Sequence, residues 1–286
     1  MDITNITKKY KNNVILRDLN FSFNKSRIVG LIGKNGAGKT TVMKIMNGNI
    51  VNYTGKVNID NHEKIGYLIE YPKLYMDTTG LNNLKLFSRI LGSKFDKEFA
   101  EEIVSSFGMN EYINKKVKKY SLGMKQKLAI AVSLISKPQY LILDEPTNGM
   151  DPDGSIDVLK TIKSIAEEND MKVLISSHKL EDIELICDRA IFLRDGKFIR
   201  DIDMKKNDTK NFTIIQFKPH DYKMGKECLS TYFKIIESSE EKISIEQIHD
   251  YSEILKPLSE INIYPKMIQN KMTSLRDAYF DINKGE

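Results

Sequence analysis

Apolar positions change their spacing several times along the chain, and each change marks an element. Asp2–Thr7 and Leu19–Phe23 are short β-rich runs, and Arg27–Ile32 is a compact apolar strand that runs directly into a glycine-rich turn. Thr40–Asn47 then takes helical spacing. From about Gly80 to Lys119 the pattern stays helical, as in Leu81–Phe87 and Phe99–Phe107. Tyr140–Leu143 and Lys172–Ile175 return to β runs, each followed by polar punctuation. Strands alternating with helices predict an α/β fold with a mainly parallel sheet.

The rhythm changes again near residue 203. Residues 204–211 are polar and read as a linker, which divides the chain into domains 1–203 and 204–286. Beyond it, Phe212–Phe217 reads as a strand and Tyr222–Tyr232 as a helix. Lys234–Glu237 and Lys242–Glu246 read as strands, Asp250–Leu258 as a helix and Ile261–Tyr264 as a further strand. That order is β-α-β-β-α-β, the arrangement of a small ferredoxin-like α+β domain. A short helix over Ser274–Asp281 closes the reading.

Composition narrows the function classes. With 286 residues, 41% hydrophobic and 29% charged, the chain suits a folded globular protein. Lys+Arg minus Asp+Glu is 44 − 39 = +5, too mild an excess to indicate nucleic-acid binding. Cys187 and Cys228 lie far apart in no metal-like spacing. This argues against a disulfide scaffold or structural zinc and for a reducing compartment. The N-terminus has no signal-peptide pattern. The longest apolar run, Leu128–Ile135, falls far short of the about 20 residues that a spanning helix needs.

Three motifs carry chemistry. Gly33-Lys34-Asn35-Gly36-Ala37-Gly38-Lys39-Thr40-Thr41 fits the phosphate loop G-x-x-x-x-G-K-[ST], between a predicted strand and a predicted helix. Its glycines let backbone amides wrap a phosphate at a helix N-terminus. Lys39 is then expected to reach the β- and γ-phosphates and Thr40 to ligate Mg²⁺. Tyr140–Glu145 is an apolar strand ending in two acids, the Walker B pattern: Asp144 would hold Mg²⁺ and Glu145 would polarise the attacking water. Tyr120-Ser121-Leu122-Gly123-Met124 precedes that strand by about 15 residues and begins a helix. Read without the other motifs, Ser121 is equally an ordinary N-cap.

In this order the motifs resemble the ATPase subunits of ABC transporters, and the resemblance covers residues 1–202. Ser121, Gly123 and Met124 are a variant of the family's Leu-Ser-Gly-Gly-Gln signature, with Leu122 and Met124 in place of Gly and Gln. Asn148-Gly149-Met150-Asp151 is similar to the D-loop, which ends here on Asp151. His178, in Ser176-Ser177-His178, stands where the family has its switch histidine, and Tyr10 fits the aromatic that stacks on adenine. The resemblance implies a P-loop NTPase cassette, a RecA-like core plus a helical subdomain over about 80–137. It implies ATP and Mg²⁺ as ligands, with Asn35, Gly36, Ala37, Gly38 and Thr41 among the nucleotide contacts. It also implies a head-to-tail pair of cassettes, identical or paralogous, each ATP lying between one phosphate loop and the partner's signature. A separate transmembrane permease would handle the cargo, with this subunit peripheral on the cytoplasmic face of the membrane.

Glu70, in Gly66–Pro72, occupies a position where most members carry Gln, and the resemblance implies that it can offer Mg²⁺ an oxygen beside Thr40 and Asp144. Glu here, with Tyr-Ser-Leu-Gly-Met, resembles bacitracin-resistance and lantibiotic-immunity ATPases. The stretches Met43–Asn49 and Asn148–Ile156 look closest to exporters of phenol-soluble modulins, amphipathic toxin peptides. The basic run Lys115–Lys119 suits a solvated face, or a surface turned to the permease or anionic lipid. The alternative class is a soluble ABC ATPase acting on ribosomes or DNA. Translation-factor members usually carry two cassettes, whereas this chain has one phosphate loop. Chromosome-type members insert long coiled coils, for which the about 80 residues between Gly38 and Tyr120 are too few.

Overall fold

The computed structural model describes residues 1–70, 73–204, 211–239, 241–272 and Leu275. They fall into two units, Met1–Lys205 and Lys206–Glu286.

In the first unit, β1 (Asp2–Tyr10) and β2 (Asn13–Ser22) form a hairpin. The strands β3 (Ile28–Ile32), β4 (Thr54–Asn58), β5 (Ile65–Leu68), β6 (Tyr140–Asp144), β7 (Lys172–Ser176), β8 (Arg189–Arg194) and β9 (Lys197–Asp203) follow. A three-stranded antiparallel sheet has the order β2-β1-β4, and a six-stranded sheet has the order β5-β6-β7-β3-β8-β9. The latter is parallel except for β9, which pairs antiparallel with β8. All five residues of β3 are buried, as a strand covered on both faces requires. The core joins the two sheets: Ile6, Leu16 and Phe21 from the first pack with Val29, Ile142 and Leu174 from the second and with Val42 and Met43 from α1 (Lys39–Met46). The strand order reverses direction around β3, and the crevice beyond the carboxyl ends there is where open α/β sheets bind ligands.

Three helices follow β5: α2 (Gly80–Ile90), α3 (Lys97–Ser106) and α4 (Leu122–Leu134). Each begins on a side-chain cap, from Thr79, Asp96 and Ser121 respectively. The helical period from Gly80 to Lys119 therefore resolves into two helices and a short 3₁₀ turn, Val117–Lys119. α5 (Pro152–Glu168) and α6 (Leu180–Ile186) complete the unit, with Pro152 in the first turn of α5, where its missing N–H costs nothing.

The second unit contains β10 (Asn211–Gln216), α7 (Tyr222–Tyr232), β11 (Ile235–Ser239), β12 (Lys242–Glu246), α8 (Ser252–Glu260) and β13 (Met267–Met272). Its antiparallel sheet has the order β11-β12-β10-β13, the ferredoxin-like topology. Phe217, Leu229, Ile243, Ile245, Ile254 and Leu258 form its own core. Gly225 of α7 lets helix and sheet approach closely, since a Cβ there would lie 2.5 Å from the Phe217 ring.

One expectation is overturned here. Ile261–Tyr264 is not a strand; the last strand is β13, later in the chain. Asn262 takes a left-handed φ of 53° where α8 ends, and Ile263 is 4% exposed as an anchor in the loop. The alternation of Ile261 and Ile263 thus reports a buried loop residue, while the true edge strand is polar and reads weakly. The helix expected at Ser274–Asp281 lies outside the described residues apart from Leu275, as does most of the linker.

Candidate nucleotide site

The carboxyl ends of β3, β6 and β7 bring the predicted chemistry together. After β3 the chain turns through the phosphate loop, where the Ala37 amide donates to the Lys34 carbonyl at 3.1 Å. Gly38 caps α1 with a φ of 109°, a conformation closed to residues with a Cβ. At Gly33 a Cβ would lie 2.5 Å from the Leu193 carbonyl oxygen, so the loop fits only as glycine. Lys39 is 6% exposed, and its Nζ donates to the Gly33 carbonyl at 2.7 Å. Among the described residues no carboxylate is paired with it. A buried cation compensated only by loop carbonyls suits an anionic ligand.

Asp144, at the end of β6, is held on both oxygens. Thr40 Oγ1 donates to Oδ2 at 2.6 Å, and Ser176 Oγ donates to Oδ1 at 2.5 Å. The next residue, Glu145, has a left-handed φ of 49°. Its amide donates to both Ser176 Oγ, at 3.0 Å, and the Ser176 carbonyl, at 3.2 Å. A non-glycine residue in this region is costly, about 1–3 kcal/mol, and is held only where its surroundings over-determine it. His178 Nδ1 lies 3.4 Å from Glu145 Oε2. Tyr10, Asn35, Gly36, Gly38, Thr41 and Glu70 line one cavity of about 720 Å³ with Lys39, Thr40, Asp144 and Glu145.

The signature residues stand differently. Ser121 caps α4, its Oγ accepting from the Met124 amide at 3.2 Å, and Gly123 lies in the helix's first turn. Leu122 and Gln126 line the cavity, whereas Ser121, Gly123, Met124 and Asp151 do not. Asp151 caps α5 by accepting from the Gly154 amide at 3.0 Å, a hydrogen bond that holds its carboxyl below the usual range.

Two side chains that brace the site carry no motif in the sequence. Lys44, on α1, pairs with Glu70 at 2.5 Å, and this bond together with the Lys44 charge lowers the Glu70 pKa. Glu70 itself has a φ of 63°. Asp182 is buried on α6 and accepts from both Thr147 Oγ1, at 2.9 Å, and Ser177 Oγ, at 3.0 Å, so it ties the segment after β6 to the segment after β7. Lys44 stands five residues after Lys39 and Asp182 four after His178, and no motif marks either.

A second groove, of about 860 Å³, adjoins the site and shares Tyr10, Thr40, Thr41 and Glu70 with it. Tyr67, Leu74, Phe87, Ile90, Leu91 and Val132 supply its apolar surface. Among the described residues no helix is long and apolar enough to cross a membrane.

Comparisons with known proteins identify the family. The ABC transporter family model matches residues 16–148. An uncharacterized ABC transporter ATP-binding protein of Bacillus subtilis, YhcH, is 34% identical over 99% of this chain and 95% of its own. The lantibiotic transport ATP-binding protein SrtF of Streptococcus pyogenes is 38% identical over 70% of this chain and 89% of its own. The bacitracin transport ATP-binding protein BcrA of Enterococcus faecalis is 33% identical over 92% and 87%. Among solved structures, the dimeric, post-hydrolysis ATP-binding cassette MJ0796 bound to ADP and Pi superposes with a TM-score of 0.61 at 22% identity, covering 71% of this chain and 98% of that one. The phosphate loop, the paired acids and these likenesses converge: the chain belongs to the ATP-binding, ATP-hydrolysing subunits of ABC transporters.

Proposed function

We propose that this subunit is the motor of a peptide exporter, acting as one of two paired cassettes beneath a separate transmembrane permease. The observation that carries the motor reading is Asp144, gripped by Thr40 and Ser176 and followed by Glu145 beside His178. Likeness to SrtF and BcrA supports peptides as cargo. The resemblance read from the stretches Met43–Asn49 and Asn148–Ile156 extends the proposal to amphipathic peptides of the phenol-soluble-modulin type.

The donor set fits Mg²⁺, a hard cation that takes oxygen ligands. Thr40 and Asp144 already place a hydroxyl and a carboxylate oxygen 2.6 Å apart. When bound with the nucleotide, the ion neutralises charge on the phosphates. Lys39 and the loop amides hold the phosphates. Glu145 accepts a proton from the attacking water at a carboxylate oxygen, and His178 Nδ1 orients that carboxylate. The face of α4 that starts at Ser121 and Gly123 offers its amides to the partner cassette's nucleotide. The apolar groove beside Glu70 receives a short helix of the permease, so that nucleotide state at Thr40 and Glu70 is felt where the permease docks.

Export by cells carrying this subunit with its permease tests the reading. Glu145→Gln is expected to lower ATP turnover by about 10²-fold or more while nucleotide binding survives, and to stop peptide export. Near-normal turnover in that variant would remove Glu145 from the reaction. Turnover that no peptide stimulates, with no peptide exported, would remove the cargo assignment.

A further inference from the structure

Lys8 lies on β1 two residues before Tyr10 and is 4% exposed. Its Nζ donates to the Asn52 carbonyl at 2.5 Å and sits 4.4 Å from the centroid of the Tyr10 ring. Among the described residues no carboxylate is paired with it. The β1–β2 ladder shifts register between Lys8 and Lys9, the kind of irregularity that re-aims a side chain beside a site. Tyr10 itself stays half exposed and borders the cavity that holds Lys39 and Thr40.

A desolvated ammonium over an aromatic face is the strong form of the cation–π interaction. It fixes the ring's orientation and draws π density toward the covered face. An electron-depleted ring stacks better, on its other face, against an electron-rich purine. Lys8 is anchored from behind by Asn52, so its charge cannot swing away when the ring is loaded.

We propose that Lys8 is a positioning residue for base recognition: it pins and polarises Tyr10, so that the face turned from Lys8 stacks on the adenine of ATP. The inference rests on the reading of Tyr10 as the adenine platform. It makes part of the affinity base-dependent and separable from the phosphate contacts of Lys39.

Equilibrium calorimetry on the full chain, in a Glu145→Gln background that prevents turnover, tests it with ATP and with inorganic tripolyphosphate as probes. Lys8→Met is expected to weaken ATP about three- to tenfold and to leave tripolyphosphate within about twofold. Lys8→Gln, which keeps a donor for Asn52 but removes the charge, is expected to behave like Lys8→Met, and Lys8→Arg like the parent. In a Tyr10→Ala background, Lys8→Met is expected to have no further effect on ATP. Unchanged ATP affinity in both neutral variants, or an equal loss for tripolyphosphate, overturns the role of Lys8. Unchanged ATP affinity in Tyr10→Ala instead overturns the platform reading beneath it.

Discussion

At Glu70 two effects meet. A carboxylate that shares a cavity with Asp144, Glu145 and a bound triphosphate is repelled by all three, which disfavours Glu at this position. Lys44 supplies the counter-charge from α1, the same helix that opens with Lys39. Because Lys44 lowers the Glu70 pKa, the contribution of the Glu70 carboxylate is fully present above the ordinary carboxylate range and is lost as pH falls from there through the lowered value. Both side chains are partly exposed, so the pair is worth little as stability and its meaning lies in placement. Glu70 also lines both the nucleotide cavity and the apolar groove. Glu70→Gln is therefore expected to lower permease-stimulated turnover more than the turnover of the isolated subunit. The ratio of the two rates measures this, and an equal fall in both would make Glu70 part of the hydrolytic machinery. Lys39, Thr40, Asp144 and Glu145 were legible because their spacing is fixed by local turns. Lys44 and Asp182 were not, because Glu70 and Thr147, the partners that give them their place, come from distant segments.

Elements differ in how much of their reason is local. β3 and β6 announce themselves as apolar runs, since a strand buried on both faces must be apolar throughout. β4, β9 and β13 are largely exposed or polar, lie at sheet edges, and carry little pattern to read. Asn83 is the clearest case of hidden structure. It is a polar residue at 0% exposure on α2, in a sequence position that suggests only a helix surface. Its Nδ2 donates to the Tyr75 carbonyl, Thr78 Oγ1 and the Thr79 carbonyl at 3.1, 2.9 and 2.9 Å, and its Oδ1 accepts from the Tyr75 amide at 2.8 Å. It thus holds the segment leading into α2 in place. Asn83→Ala removes the hydrogen bonds that this buried amide makes to the partly exposed groups of Tyr75, Thr78 and Thr79, a loss of about 1–3 kcal/mol in all. A fall in Tm of about 2–12 °C is expected for a unit of this size, and thermal denaturation measures it. A change within about 1 °C would mean that water or a new contact replaces the amide.

For the whole molecule, the decisive feature is that chemistry and sequence signal are both concentrated in the first unit. Every residue assigned to nucleotide or metal, the proposed Lys8 included, lies between Lys8 and His178, within Met1–Lys205. The second unit has its own sheet and its own apolar core, built from Phe217, Leu229, Ile243 and Ile254 among others. The succession of its elements was readable up to the second helix, because each is short and separately punctuated, whereas the last strand, polar and at a sheet edge, lies at Met267–Met272 and not at the expected Ile261–Tyr264. The unit's role was not readable, because no motif sits on it, and likeness to BcrA over 92% of the chain says only that a relative aligns over nearly all of its length. A chain ending after Met204 keeps all nine strands and six helices described for the first unit. It is therefore expected to fold and to bind ATP within about threefold of the full protein, since a threefold change is only about 0.7 kcal/mol. Calorimetric ATP titration of the folded truncation measures this. Loss of ATP binding with the fold intact, judged by a cooperative melt, would show that residues 205–286 complete the site. Retained binding would confine their contribution to steps beyond nucleotide capture, such as pairing of the cassettes or engagement of the permease.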